Sequence, residues 1–185
     1  MRMKSIILHG SPRKNGNSDT LAKYFINGFI SSGDNKSLDF YINDLNISPC
    51  QGCLSCKTAL NHDCAIKDDM QQIKSAFIEA NIIVFATPMY WGYMTSQLKK
   101  VMDRMEALTW EHFKGKTFVV LITYHHHCES AVAFFKRITP FFGIELHIIT
   151  CCTLDKESYE DLSILNYKEE LDESYNLGKK LGKKN

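Results

Sequence analysis

The sequence predicts an α/β fold: a doubly wound, five-stranded parallel sheet with helices on both faces. Two observations carry this. Five short β-rich runs recur, at residues 4–9, 38–42, 82–87, 117–123 and 144–150, and several are apolar without interruption (IIVFAT, FVVLIT). Such runs suit strands covered on both faces. The segments between them carry apolar residues at three- and four-residue steps, so strand and helix alternate and imply right-handed crossovers.

Each helix has its own signal. Ser18 is placed to cap a helix with Leu21, Phe25 and Phe29 on one stripe, ended by Gly33. Asp68 with Gln71 resembles a capping box ahead of Met70, Ile73, Phe77 and Ala80. Ser96 starts a third helix, with Leu98, Val101, Met102, Met105 and Leu108 inward. A shorter one covers 129–139 and stops before Pro140, and the tail from about 155 to 181 supplies a last helix.

With 185 residues and 44% hydrophobic content, the chain suits one well-buried core, so a single domain over 1–185 is expected. The amino terminus is basic, but its apolar run at residues 6–8 is too short for a signal peptide or a membrane span. A cytoplasmic protein is expected. Lys and Arg total 22 against 21 Asp and Glu, and the basic run Lys179, Lys180, Lys183, Lys184 lies at the chain end. No nucleic-acid footprint follows; that run reads as a solvated helix end.

In a doubly wound sheet, ligands bind at the carboxyl edge of the strands, so the loops after each strand hold the candidates. After the first strand comes GSPRKNGNS, residues 10–18. Its small residues let the backbone curl. Ser11, Asn15, Asn17 and Ser18 offer hydroxyls and amides, and the helix start offers free N–H groups. Asn17 stands where a Walker A lysine would be, and there is no G-x-G-x-x-G. A cradle for one phosphate monoester remains, with Arg13 as counter-charge, or an ordinary βα turn.

Three stretches in register carry a family resemblance: GSPRKNGNS, then PCQGCLSC…C followed by IKDDM, then ATPMYWGYMTSQLKKVMDR. Together they resemble the NADPH-dependent FMN reductase group of the flavodoxin-like superfamily, especially its iron–sulfur flavoproteins. The likeness runs from about Met3 to Met105 and more loosely beyond. It implies a flavodoxin-like sheet in the order 2-1-3-4-5, bound FMN, and a homodimer or tetramer with flavin near the subunit contacts. It also implies an FMN-dependent oxidoreductase with NAD(P)H as electron donor and a small molecule or protein as acceptor.

By that resemblance Pro88, Met89, Tyr90, Trp91 and Gly92 hold the flavin. The alternative is that Tyr90 and Trp91 are core or interface aromatics. An isoalloxazine ring needs an apolar or aromatic wall and backbone N–H groups along its pyrimidine edge. After the fourth strand, TYHHHCES departs from the relatives' glycine-rich turn. Adjacent histidines on an extended segment alternate in direction, so His125, His126 and His127 do not readily converge on one metal. One of them, or Tyr124, borders the flavin. No side chain is assigned as acid or base.

Four of the seven cysteines, Cys50, Cys53, Cys56 and Cys64, follow a C-x2-C-x2-C-x7-C spacing in residues 49–64. Three close thiolates with one late return suit a [4Fe–4S] cluster. Four-cysteine zinc, a C-x-x-C dithiol switch and free thiols in a loop that caps the flavin stay open. Without a cluster the chain would be an NAD(P)H-dependent quinone, nitro or azo reductase. A reading of another class is a non-catalytic flavin or thiol redox sensor. Cys151 and Cys152 read as buried small apolar residues.

Overall fold

The computed structural model describes residues 2–58 and 63–183. Ala59 to His62, inside the cysteine stretch, and Lys184, in the basic run, lie outside the described residues. In chain order the elements are β1 (Lys4–His9), α1 (Asn17–Ser31), β2 (Lys36–Tyr41), α2 (Ser55–Thr58) and α3 (Met70–Glu79). There follow β3 (Ile82–Tyr90), β4 (Tyr93–Met94), α4 (Ser96–Arg104), β5 (Thr117–Tyr124), α5 (Glu129–Ile138), β6 (Glu145–Cys152) and α6 (Lys168–Gly182).

The main sheet runs β2-β1-β3-β5-β6, all parallel, which is the expected 2-1-3-4-5 order of the five predicted strands. Strand β4 is additional and pairs antiparallel with β3. Because side chains alternate along a strand, each central strand feeds two cores. Ile6, Leu8, Ile83, Phe85, Val120 and Ile122 pack with Phe77 of α3, Leu98 of α4 and Phe135 of α5. Ile7, Val84, Ala86, Val119 and Leu121 pack on the other face with Phe25 and Phe29 of α1 and Leu171 and Leu181 of α6. Cys151 joins this second core, as expected, while Cys152 is only half buried.

Several boundaries differ from the sequence expectation. The N-cap of α1 is Gly16, with no capping side chain, and Ser18 lies buried one residue inside the helix. Helix α4 does start at Ser96, and Thr95 before it supplies the cap by accepting the Leu98 N–H at 3.3 Å. At α3 the N-cap is Asp69, without a capping side chain, and only half of the expected Asp68–Gln71 box forms: Gln71 Oε1 accepts the Asp68 N–H, while Asp68 Oδ1 accepts the Met70 N–H. The tail helix begins only at Lys168. Before it, Asp155 Oδ1 accepts N–H groups from Glu157 and Ser158, an Asx-type turn that competes with helix, and Tyr159 reverses the chain at φ 58°.

Helices α1 and α6 meet backbone to backbone through two glycines. A Cβ at Gly28 would lie 1.9 Å from the Tyr175 carbonyl oxygen, and one at Gly178 would lie 2.1 Å from that of Phe25. The buried Ser174 hydroxyl donates to the Leu21 carbonyl beside this contact. Helix propensity alone favours Gly178→Ala by about 1 kcal/mol. The clash outweighs it, because main chain cannot give way, so urea denaturation of Gly178→Ala is expected to show a net loss of about 2 kcal/mol.

Candidate functional site

The site is assembled where β1 and β3 leave the sheet side by side. The Gly10 N–H donates to Ala86 O at 2.8 Å, and the Thr95 hydroxyl donates to Gly10 O at 2.7 Å. A side chain at Gly10 would press on Leu98 Cβ and Thr95 Oγ1, each 3.0 Å away. The loop then curls through Ser11, whose Oγ accepts the Arg13 N–H, to Asn15 in the left-handed region at φ 61°. Asn tolerates that conformation. Here the Asn15 N–H donates to Asp19 Oδ2 at 2.6 Å, and its side-chain oxygen accepts from Lys23.

A charged network centred on the buried His9 and Asp19, with the more exposed Asp39 and Lys23 at its edge, lies beneath this loop. His9 Nε2 is 2.7 Å from Asp39 Oδ1, and its Nδ1 is 3.0 Å from Asp19 Oδ1, though out of line for a hydrogen bond. The Tyr41 ring stacks on His9 at 4.3 Å and its hydroxyl donates to Asp19 Oδ1. Burial raises the Asp19 pKa, but the Asn15 N–H, Lys23 and His9 outweigh it and hold the carboxyl below its ordinary value. Burial and the neighbouring carboxylates push Tyr41 up to about 12.

Above the loop lies a cavity of about 430 Å³, a size suited to a small cofactor. Of the residues singled out in the sequence, Ser11, Arg13, Asn17 and Ser18 line its first wall. Pro88, Met89, Tyr90 and Tyr124 line its second. Because α1 has no capping side chain, its first-turn N–H groups are left for a ligand at this end. Asn15 is not among the lining residues and braces the loop instead. Trp91 and Gly92, at φ 51° and 75°, form the two-residue turn between β3 and β4, as expected when both central residues need positive φ. Trp91 is fully exposed at that tip, and Gly92 O accepts from the Ser130 hydroxyl.

A third wall was not anticipated. Thr153, Asp161, Leu162 and Ser163, between β6 and α6, close the cavity opposite β3. Asn17 ties this wall to α1: its amide donates to Leu162 O at 2.9 Å, and its carbonyl accepts the Ile164 N–H at 3.0 Å. Asp161 Oδ1 accepts from Thr153 Oγ1 and lies 3.1 Å from His125 Nε2. His125 is therefore the histidine of the triplet that borders this cavity. His127 faces Glu129, and His126 and His127 line an adjoining hollow that shares Tyr124 and His125 with this cavity.

The cysteine loop leaves β2 on the same carboxyl edge. Cys50 and Cys53 are exposed, Cys56 and Cys64 half buried, and Gly52 and Leu54 both have positive φ, which folds the chain back between them. Ser55 hydrogen-bonds the Cys53 sulfur and draws that thiol's pKa down. Among the described residues no three Cys, His, Asp or Glu side chains stand together as a metal-binding group. The donors are those an iron–sulfur cluster takes.

One residue holds the stem of that loop. Arg104, 3% exposed at the end of α4, donates from Nη1 to Ser48 O and Asp68 Oδ2, both at 2.8 Å. Its Nη2 donates to Asp68 Oδ1 and Ile66 O. Burial opposes the charge of this guanidinium, but Asp68 and the neighbouring Cys64 raise its pKa. Burial likewise raises the Asp68 pKa, but Arg104 and the N–H groups of Ser48 and Met70 hold the carboxyl below its usual value.

A parallel α/β sheet with a phosphate-sized loop and an aromatic-lined slot at one edge defines a ligand-binding protein of the doubly wound class. A solved NAD(P)H:quinone oxidoreductase from Methanothermobacter marburgensis shares the fold, at TM-score 0.69 and 15% identity over 98% of this chain and all of that one. Residues 3–150 match the model of the NADPH-dependent FMN reductase family, and the chain belongs to that family. An iron-sulfur flavoprotein of Methanocaldococcus jannaschii is 35% identical over 106 residues, 57% of this chain and 53% of its own. A putative NAD(P)H-dependent FMN-containing oxidoreductase of Bacillus subtilis is 28% identical over 102 residues, 55% of this chain and 51% of its own. The alignments thus span about half the length of these relatives.

Replacing Arg104 by Met leaves the Asp68 carboxylate buried without its partner. A loss of about 3 kcal/mol in urea denaturation near neutral pH is expected. Because the folded pKa of Asp68 is depressed, its contribution is present above the unfolded value near 4 and lost as pH falls through the folded value. In the variant, stability should fall less steeply over that acid range.

Proposed function

We propose that this chain is an FMN-dependent oxidoreductase that accepts electrons from NAD(P)H and delivers them to a small molecule or a protein. The observation that carries this reading is the single cavity shared by the Ser11–Ser18 loop and the Pro88–Tyr90 segment, in a chain of this family. Bound FMN supplies the hydride-accepting chemistry. The first-turn N–H groups of α1, with Ser11, Ser18 and Arg13, hold its phosphate. Pro88, Met89, Tyr90 and Tyr124 form the wall for its ring system, and His125, held by Asp161, sits at the cavity border. These side chains bind and orient. Acceptors of the quinone, nitro or azo type fit an open, partly aromatic slot.

A finer reading, an iron–sulfur flavoprotein, is favoured by the C-x2-C-x2-C-x7-C spacing and by the printed names of relatives. Under it the loop draws its thiols together on loading, and the positive-φ turns at Gly52 and Leu54 are where the backbone yields. A homodimer or tetramer accompanies both readings, with the exposed Trp91 at a subunit contact. No helix among the described residues is long and apolar enough to cross a membrane.

Titration of FMN fluorescence tests the flavin reading: saturable quenching is expected, and Tyr90→Ala weakens binding about tenfold through the lost aromatic wall. FMN that stays fully fluorescent in the presence of excess wild-type protein would reject it. Anaerobic reconstitution tests the finer reading, with about four irons and four sulfides per chain expected. Stoichiometric zinc, or no metal, leaves the cluster-free reductase. Steady NAD(P)H oxidation with a quinone acceptor separates an enzyme from a redox sensor that binds flavin without turnover.

A further inference from the structure

We infer that His9 works as an imidazolium under the phosphate loop, and that its charge, by neutralising Asp19 and Asp39, gives the loop its grip on a phosphate dianion. This rests on the flavin reading above. His9 ends β1, is 2% exposed, and presents each ring nitrogen to a different carboxylate, at 2.7 and 3.0 Å. A neutral imidazole has one N–H and one lone pair, so one carboxylate would face a lone pair in a buried site. Nδ1 is out of line for a hydrogen bond to Asp19, so what the doubly protonated ring brings there is charge attraction at 3.0 Å in place of a lone pair against a carboxylate.

The charges around it sharpen the point. From α1 come Asp19 and Lys23, paired at 3.0 Å. From β2 come Asp39 and Tyr41. Lys14 of the loop lies over the Tyr41 ring and pairs with Asp44, just after β2. Three carboxylates thus face two lysines, and the floor of the loop carries a net negative charge unless His9 is charged. Asp19 cannot simply be dispensed with, because its Oδ2 accepts the Asn15 N–H and fixes the left-handed turn. With His9 protonated the floor is neutral, leaving Arg13 and the helix N–H groups unopposed.

The test compares FMN with riboflavin, which has the same ring and no phosphate, on wild-type protein and His9→Gln. The variant should bind FMN about tenfold more weakly near neutral pH, with riboflavin affinity within about twofold of wild type. Equal losses for both ligands would reduce His9 to a structural role, and no loss for FMN would also overturn the inference. Long-range ¹H–¹⁵N spectra of wild-type protein decide the matter even if the variant does not fold. Two protonated ring nitrogens near neutral pH are expected, and a singly protonated ring would overturn the inference. Wild-type protein that binds no FMN sinks the flavin reading and this inference with it; binding equal in wild type and variant sinks the inference alone.

Discussion

The site depends on the seam between β1 and β3. The Gly10 N–H to Ala86 O bond continues the parallel ladder one step past β1, and the Thr95 hydroxyl then takes the Gly10 carbonyl. These bonds set the loop of residues 10–18 against the strand end that carries Pro88, Met89 and Tyr90. With Leu98 and Thr95 each 3.0 Å from where a Cβ would stand, the backbones approach only because residue 10 is glycine. Thr95 does double duty: the oxygen that donates to Gly10 also caps α4, whose last residue is Arg104. Two loops of opposite character, one for an anion and one carrying thiols, are anchored through the ends of one helix.

Much of this arrangement was legible in the residues, for a physical reason. Uninterrupted apolar runs in 82–87 and 117–123 can only be strands buried on both faces, and parallel strands place their following loops on a common edge. The loops that carry Ser11, Ser18 and Tyr90 therefore share that edge, and all three residues line one cavity there. The third wall was not legible. Asp161 and Ser163 sit in no motif, and they reach the cavity because Asn17 binds the backbone at Leu162 and Ile164, a contact about 145 positions away in sequence. His9 and Asp39 meet only through the register of β1 on β2. Strand β4 is two residues long, too short to leave a periodic trace, so the hairpin turn that Trp91 and Gly92 form was not legible either.

The two loops differ in how much of their final geometry is built in. The first is braced by Asp19, Lys23, His9 and Asn17, so a ligand there meets groups already placed. In the cysteine loop the stem is fixed by the buried Arg104–Asp68 pair, while among the described residues no three metal-binding side chains stand together. Leu54 holds a left-handed conformation that costs a non-glycine residue about 1–2 kcal/mol.

Under the proposed function, the edge cavity holds a flavin that takes electrons from a nicotinamide cofactor. Anaerobic rapid mixing of FMN-loaded protein with NADH or NADPH tests it most directly. The account predicts that the oxidised-flavin absorption bleaches in a saturable, single-turnover reaction, more slowly in Tyr90→Ala. Bound FMN that stays oxidised in the presence of both nicotinamides would contradict it.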